Sequence, residues 1–292
     1  MSVDIEITQK GLFKKALGYN TIIGDLGYGL YESNRLTEGK IGDDEFIVYD
    51  KKHIGRGISV VCKNGEKEKV SLRMLSPTCE EEIDVLYDIV ERIASAWKGC
   101  LVTQDDEKID PNDLADLRTH MKEFNKGFLK TLLEKESEPG SVLAIFSAMW
   151  QIDMGQEDKA ELLSADDPMK AYGEWLHRLQ EIDAYYAMPK FYGMENGEIM
   201  GMYFITEDTV SIVPIKPSVP FGVEDSQTGK PIEVSQWLVS FYSITNDDIA
   251  GRLPYEKFIE YILPKSKRYD GSRIIIDGIS QEEMNIILNS GG

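Results

Sequence analysis

The 292-residue chain is poor in cysteine and histidine and has no long apolar or basic run, and each shortage removes a class of protein. Cys62, Cys79 and Cys100 form an odd set without CxxC spacing, so reduced thiols in a cytosol are expected rather than a disulfide framework. His53, His120 and His177 lie far apart and none falls in HExxH or HxH, which leaves no metal site to read. The longest apolar stretch, "SVLAIFSAMWQI" at 141–152, falls short of the roughly 18 residues of a membrane helix. The opening "MSVDIEITQKGLFKKALG" alternates acidic and apolar residues, so no secretory signal is expected.

Positive charge is scarce as well: 32 Lys and Arg face 51 Asp and Glu, a net −19. Residues 1–150 carry 20 basic and 27 acidic side chains, and residues 151–292 carry 12 and 24. Nucleic acid and anionic membranes need clustered cations, and the densest basic stretches, "KNGEKEK" and "PKSKR", are short and partly neutralised or flanked by acids. Neither partner is expected. A protein partner with a basic surface is favoured electrostatically, although such acidity more often serves solubility.

What is present is an ordinary alternation of strands and helices. Val3, Ile5 and Ile7 alternate with polar residues as in a half-buried strand, "LFKKALG" reads as one or two helical turns, and "EFIVYD" reads as a second strand. Asn64-Gly65 and Asn196-Gly197 sit between β-rich runs where a hairpin turn needs positive φ. Thr78 with Glu81 caps a helix that stripes through Ile83, Leu86, Val90, Ile93 and Trp97. Asp110-Pro111 and Asp167-Pro168 open two more helices, "LPYEKFIEYILP" a short one, and Ser280 with Glu283 the last. Strands cluster at 1–75 and 188–278. The expected fold is therefore α+β, with antiparallel or mixed β hairpins in two lobes, 1–152 and 153–292, and helices gathered mainly in the middle of the chain.

Few stretches suggest chemistry. "GDLGYG" orders its glycines as G-x-x-G-x-G, the reverse of a dinucleotide fingerprint, with Asp25 inside it and no helix stripe or Lys behind it. It is read as a turn or a glycine-permitted strand crossing, and no cofactor is expected. "HIGRGI" sets Arg56 between Gly55 and Gly57, where a guanidinium fork could meet a carboxylate or phosphate, with His53 beside it; the plainer reading is a bulge that leaves Arg56 in solvent. Pro214, Pro217 and Pro220 are three apart, as in polyproline II, and nearby Trp237 and Tyr242 could add to a binding surface, although an aromatic strand is more often core. His53, Arg56, Trp237 and Tyr242 are thus the candidate partner or ligand contacts. No residue is nominated as catalytic.

The segments "FIVYDKKHIGRGISV", "RMLSPTCEEEIDVLYDIV", "LPYEKFIEYILP" and "YDGSRIIIDGISQEEM" together resemble a bacterial family known as a domain of unknown function, number 4299. The resemblance implies a bacterial cytosolic protein and supplies no activity or site. A binding or interaction protein without catalysis is the expectation. The alternative is a hydrolase or transferase with a carboxylate- or His/Arg-lined cleft, and oligomeric state is not readable.

Overall fold

A computed structural model describes residues 1–32, 34–136, 138, 140–225 and 229–290. The protein is α+β, its sheets antiparallel or mixed, and it divides into two compact units, Met1–Glu181 and Ile182–Gly292. The sequence had placed the division at 152/153; the acidic stretch that follows builds a strand and a helix within the first unit.

The first unit opens with β1 (Ser2–Gln9), α1 (Tyr19–Ile23), β2 (Gly27–Glu32), β3 (Arg35–Glu38), β4 (Glu45–Tyr49), β5 (Ile58–Val61) and β6 (Lys69–Leu75). It continues with α2 (Glu80–Trp97), β7 (Cys100–Gln104), β8 (Glu107–Ile109) and α3 (Leu114–Glu134). The pair β9 (Leu143–Phe146) and β10 (Gln151–Met154), then α4 (Gln156–Ser164) and α5 (Pro168–Gln180), complete it. Eight strands form one antiparallel sheet in the order β3-β2-β4-β5-β6-β1-β7-β8. The period-2 pattern of β1 explains its place between β6 and β7. Val3, Ile5 and Ile7 face inward opposite Met74, Leu72 and Val70, and Asp4 faces outward opposite Arg73, to which it is paired. The stripe of α2 covers the inner face: Ile83, Leu86, Tyr87, Ile89, Val90, Ile93 and Trp97 join the β1, β5 and β6 residues in one core. Burying each large aliphatic there contributes about 2 kcal/mol over leaving it in water.

Two local expectations change, and one is refined. "LFKKALG" forms a loop, not a helical turn, and the short α1 begins after Gly18. The N-cap of α2 is Cys79, because the Thr78 hydroxyl donates to Glu82 instead of capping the helix. Gly27 and Gly29 lie within β2, where Gly27 makes room for Tyr49: a Cβ would sit 2.2 Å from its ring.

The second unit pairs β11 (Tyr185–Tyr186), β14 (Ser211–Pro214), β18 (Arg273–Ile276) and β17 (Lys267–Arg268) in one sheet. A second sheet holds β12 (Lys190–Gly193), β13 (Ile199–Thr206), β15 (Val234–Ser243) and β16 (Asp248–Pro254). The β12–β13 hairpin turns at Asn196-Gly197 with Gly197 at φ +84°, as its sequence requires. The pairing β13–β15 is parallel, so this sheet is mixed. Helices α6 (Tyr255–Ile262) and α7 (Gln281–Ser290) place Phe258, Ile262, Met284 and Ile287 in the core with Ile205, Val239 and Phe241.

Candidate functional site

The β4–β5 connection, Asp50 to Gly57, meets the first turn of α2 and the length of α5. Glu82 lies four residues before Leu86 on the buried stripe, so the helix carries its carboxylate inward. There it accepts the amides of Arg56 at 3.0 Å and Gly57 at 2.6 Å and the hydroxyl of Thr78. Burial raises its pKa, against the lowering effect of these donors and of the Arg56 charge. The two glycines have separate reasons. A Cβ on Gly55 would stand 2.8 Å from Glu82 and 2.9 Å from Cys79, whereas Gly57 adopts φ +78°.

Arg56 is not in solvent. It is half-buried, its Nε donates to the Phe146 carbonyl at 2.8 Å and its Nη1 to the Ser76 carbonyl at 3.1 Å, and desolvation draws its pKa down. The plainer sequence reading fails because a buried guanidinium needs acceptors, and two carbonyls supply them. Around it the packing is polar and satisfied. Gln180 donates to the carbonyls of Ile54, Gly55 and Leu176 and accepts from Met149; Asn125 grips both backbone groups of Thr78; and the Tyr172 hydroxyl donates to the Pro77 carbonyl. Cys79 lies in the same layer, its thiol directed to the His53 carbonyl at 3.7 Å and its pKa raised well above the ordinary thiol value, chiefly by burial. Burial there favours the neutral thiol over the thiolate.

Outside this layer opens a cleft of about 480 Å³ lined by Lys52, His53, Glu80, Glu81, Lys170 and His177, with Asp167, Met169, Gly173 and Glu174 completing the wall. The ring centroids of His53 and His177 are 6.4 Å apart. His177 is half-buried because it has partners on both sides. The Ile54 amide donates to its Nδ1 at 3.2 Å, which leaves the proton on Nε2, 3.2 Å from Glu181. His53 pairs through Nδ1 with Asp50 at 3.1 Å, and Lys170 stands 3.8 Å from Glu174. Asp167 caps α5 through the amides of Met169 and Lys170. Glu80 and Glu81 differ: neither side chain has a hydrogen bond or ion pair among the described residues.

Of the four candidate contacts, His53 lines the cleft and Arg56 lies behind it. Trp237 and Tyr242 belong to the second unit. Trp237 packs half-buried on Tyr203 and Phe191, with ring centroids 5.8 and 6.1 Å away, and the half-buried Tyr242 hydroxyl is held by Asp247. His120 is exposed on α3. Sequence reasoning passed over Glu80 and Glu82, and took Glu81 only as part of a helix cap. The available signal was an acid lying in register with Leu86, Ile89 and Ile93 on an apolar stripe. Among the described residues no group of three His, Cys, Asp or Glu side chains is arranged to hold a metal ion, and no helix is long and apolar enough to cross a membrane.

A family model described as a domain of unknown function (DUF4299) matches residues 2–287. No curated protein and no solved structure matches the chain.

Proposed function

Because the chain belongs to the DUF4299 family, whose description assigns no activity, its own geometry is the guide, and we propose that it is a binding protein without catalysis. In this reading the cleft beside His53 and His177 receives a cationic side chain from a protein partner. The observation that carries it is the pair Glu80 and Glu81, which line the cleft without a hydrogen bond or ion pair while Lys170, His53 and His177 beside them are each paired with another acid. A lysine or arginine entering there would pair with carboxylates that nothing else neutralises. The groups that resemble catalytic ones, Glu82, Arg56, Cys79 and Tyr172, are engaged with one another or with backbone below the cleft. His53, Glu80 and Glu81 are the contacts we assign. Trp237 and Tyr242 remain candidates for a second contact on the other unit, and nucleic acid is no part of this reading, given the net charge of −19. The setting we assign is a bacterial cytosol, supported by the unpaired thiols of Cys62, Cys79 and Cys100.

Calorimetric titration with a lysine- and arginine-rich peptide, and with its glutamate counterpart, tests this. The cationic peptide is expected to bind, and Glu80→Lys/Glu81→Lys to weaken it by about tenfold or more, as loss of close charge pairs does. Heats unchanged by that double reversal would sink the proposal. Turnover of an ester or phosphoester by the purified chain, lost in His53→Ala, would instead establish the hydrolase reading, for which the two convergent histidines are the one favourable feature.

A further inference from the structure

A different pole of the first unit carries two large apolar side chains that touch almost nothing. Leu12 is 97% exposed and Phe13 99%. Adjacent residues so fully in water are costly to solubility unless something covers them. Nor is the segment a frayed one. Gln9, 3% exposed, donates to the carbonyls of Lys15 and Lys67, both at 2.9 Å, and accepts the Lys15 amide at 2.7 Å, closing residues 10–15 into a loop. Leu17 anchors the far end through mutual bonds with Glu66 and Gly65 of the β5–β6 turn, and the Lys10 amide donates to the Gly99 carbonyl. The loop therefore presents Leu12 and Phe13 at its tip, between two anchored ends.

The same hydrogen bonds decide what surrounds that tip. They bring together three stretches distant in sequence, 9–17, 62–68 and 98–99, with six lysines, Lys10, Lys14, Lys15, Lys63, Lys67 and Lys98, against two acids, Glu66 and Glu68; Asp43, Asp44 and Glu45 adjoin the far edge, where the Cys62 amide donates to the Asp44 carbonyl. Glu68 pairs with Lys14, and the Glu66 carboxylate takes the amides of Lys67 and Glu68. In a chain of net charge −19 this pole is cationic. The acids elsewhere oppose it little at salt where the Debye length is about 10 Å.

We propose that the Leu12–Phe13 loop docks the protein on an anionic phospholipid bilayer, the two apolar side chains entering the acyl boundary and the lysines meeting lipid phosphates. Charge complementarity selects the anionic surface, and the bare apolar pair selects a bilayer over nucleic acid, whose phosphates offer nothing to Leu12 or Phe13. The expectation of no membrane partner rested on the density of cations along the chain; here the fold, not the chain order, gathers them.

Co-sedimentation with vesicles of phosphatidylcholine alone, and with an equal mixture of phosphatidylcholine and phosphatidylglycerol, is the test. Binding is expected to the mixed vesicles alone and to fall as salt rises. Leu12→Ser/Phe13→Ser is expected to lower it at least about tenfold with the melting temperature unchanged, since those side chains pack on nothing. Lys10→Glu/Lys15→Glu should lower it comparably. Phe13→Trp should give blue-shifted emission on adding mixed vesicles. No sedimentation at low salt, or equal sedimentation of the double serine variant, would overturn the proposal. So would retention on duplex DNA that needs the lysines but not Leu12 and Phe13, or a stoichiometric protein partner that needs both apolar residues while vesicles bind nothing.

Discussion

Gly57 gives its amide to Glu82 at 2.6 Å. That bond joins the end of the loop carrying His53 to the helix carrying Glu80 and Glu81, so the two walls of the cleft are tied at its base. The Arg56 amide and the Thr78 hydroxyl complete the arrangement.

Glu82→Ala leaves two backbone amides and a hydroxyl buried without an acceptor, and it is expected to cost about 3–5 kcal/mol in urea unfolding. Glu82→Gln keeps the shape but turns one acceptor into a donor and should cost about 1–3 kcal/mol. The pH dependence has a defined sign. The folded pKa of Glu82 is raised above its ordinary value of 4.5, so the folded state holds this proton longer than the unfolded chain. Its contribution is fully present below pH 4.5 and is lost as pH rises through the folded pKa. Relative to Glu82→Gln, the natural protein should therefore lose stability from about pH 4.5 upward; a difference that grows with pH would contradict this.

Gly27→Ala drives a methyl into the Tyr49 ring and should lower stability by about 1–3 kcal/mol through overpacking, since Gly27 is strand backbone and not a phosphate cradle. Titration with ATP, GTP or NAD is expected to give no binding heat in either form, and micromolar binding abolished by the alanine in a folded protein would reverse that reading.

Gln9→Ala removes both ends of the clamp on residues 10–15. The expected result is a loss of about 1–3 kcal/mol and faster tryptic cutting after Lys14 and Lys15, read by mass spectrometry. Unchanged cutting would show that Leu17 and Lys10 hold the loop without it.

Among the thiols, burial pushes Cys62 up to about 12 and Cys79 well above the ordinary value, while Cys100 is half-exposed and shifted less. Alkylation of the native protein at mildly alkaline pH should label Cys100 first, with Cys62 and Cys79 reacting after denaturation. Rapid native labelling of Cys79 would mean that the layer under the cleft opens, and would make it a candidate nucleophile.

Periodicity carried much of the fold. The alternation of Val3, Ile5 and Ile7, the stripe of α2 and the proline-opened helix α5 needed no partner to be read, because each records in adjacent residues which face leaves water. "LFKKALG" misled for a related reason: its apolar residues have helical spacing, but Leu12 and Phe13 have no surface to pack on, and the backbone bonds go to Gln9, Gly65 and Glu66 instead. The α+β class and the hairpin turn at Asn196-Gly197 are local properties of this kind, as is the acidity that makes a basic partner attractive.

The candidate site was hidden because its parts are remote from one another. Gly57 and Glu82 stand 25 residues apart, Ile54 and His177 stand 123 apart, and no spacing rule relates them. Arg56 looked solvated because its acceptors, Phe146 and Ser76, arrive from elsewhere in the chain. The lysines around Leu12 were diluted along three stretches until hydrogen bonds brought them to one pole. Amino-acid order was enough to tell which faces of β1 and α2 leave water, since burial there follows local pattern; which polar groups are buried and face one another was settled by packing, since a buried carboxylate or guanidinium is tolerable only where distant backbone supplies its partners.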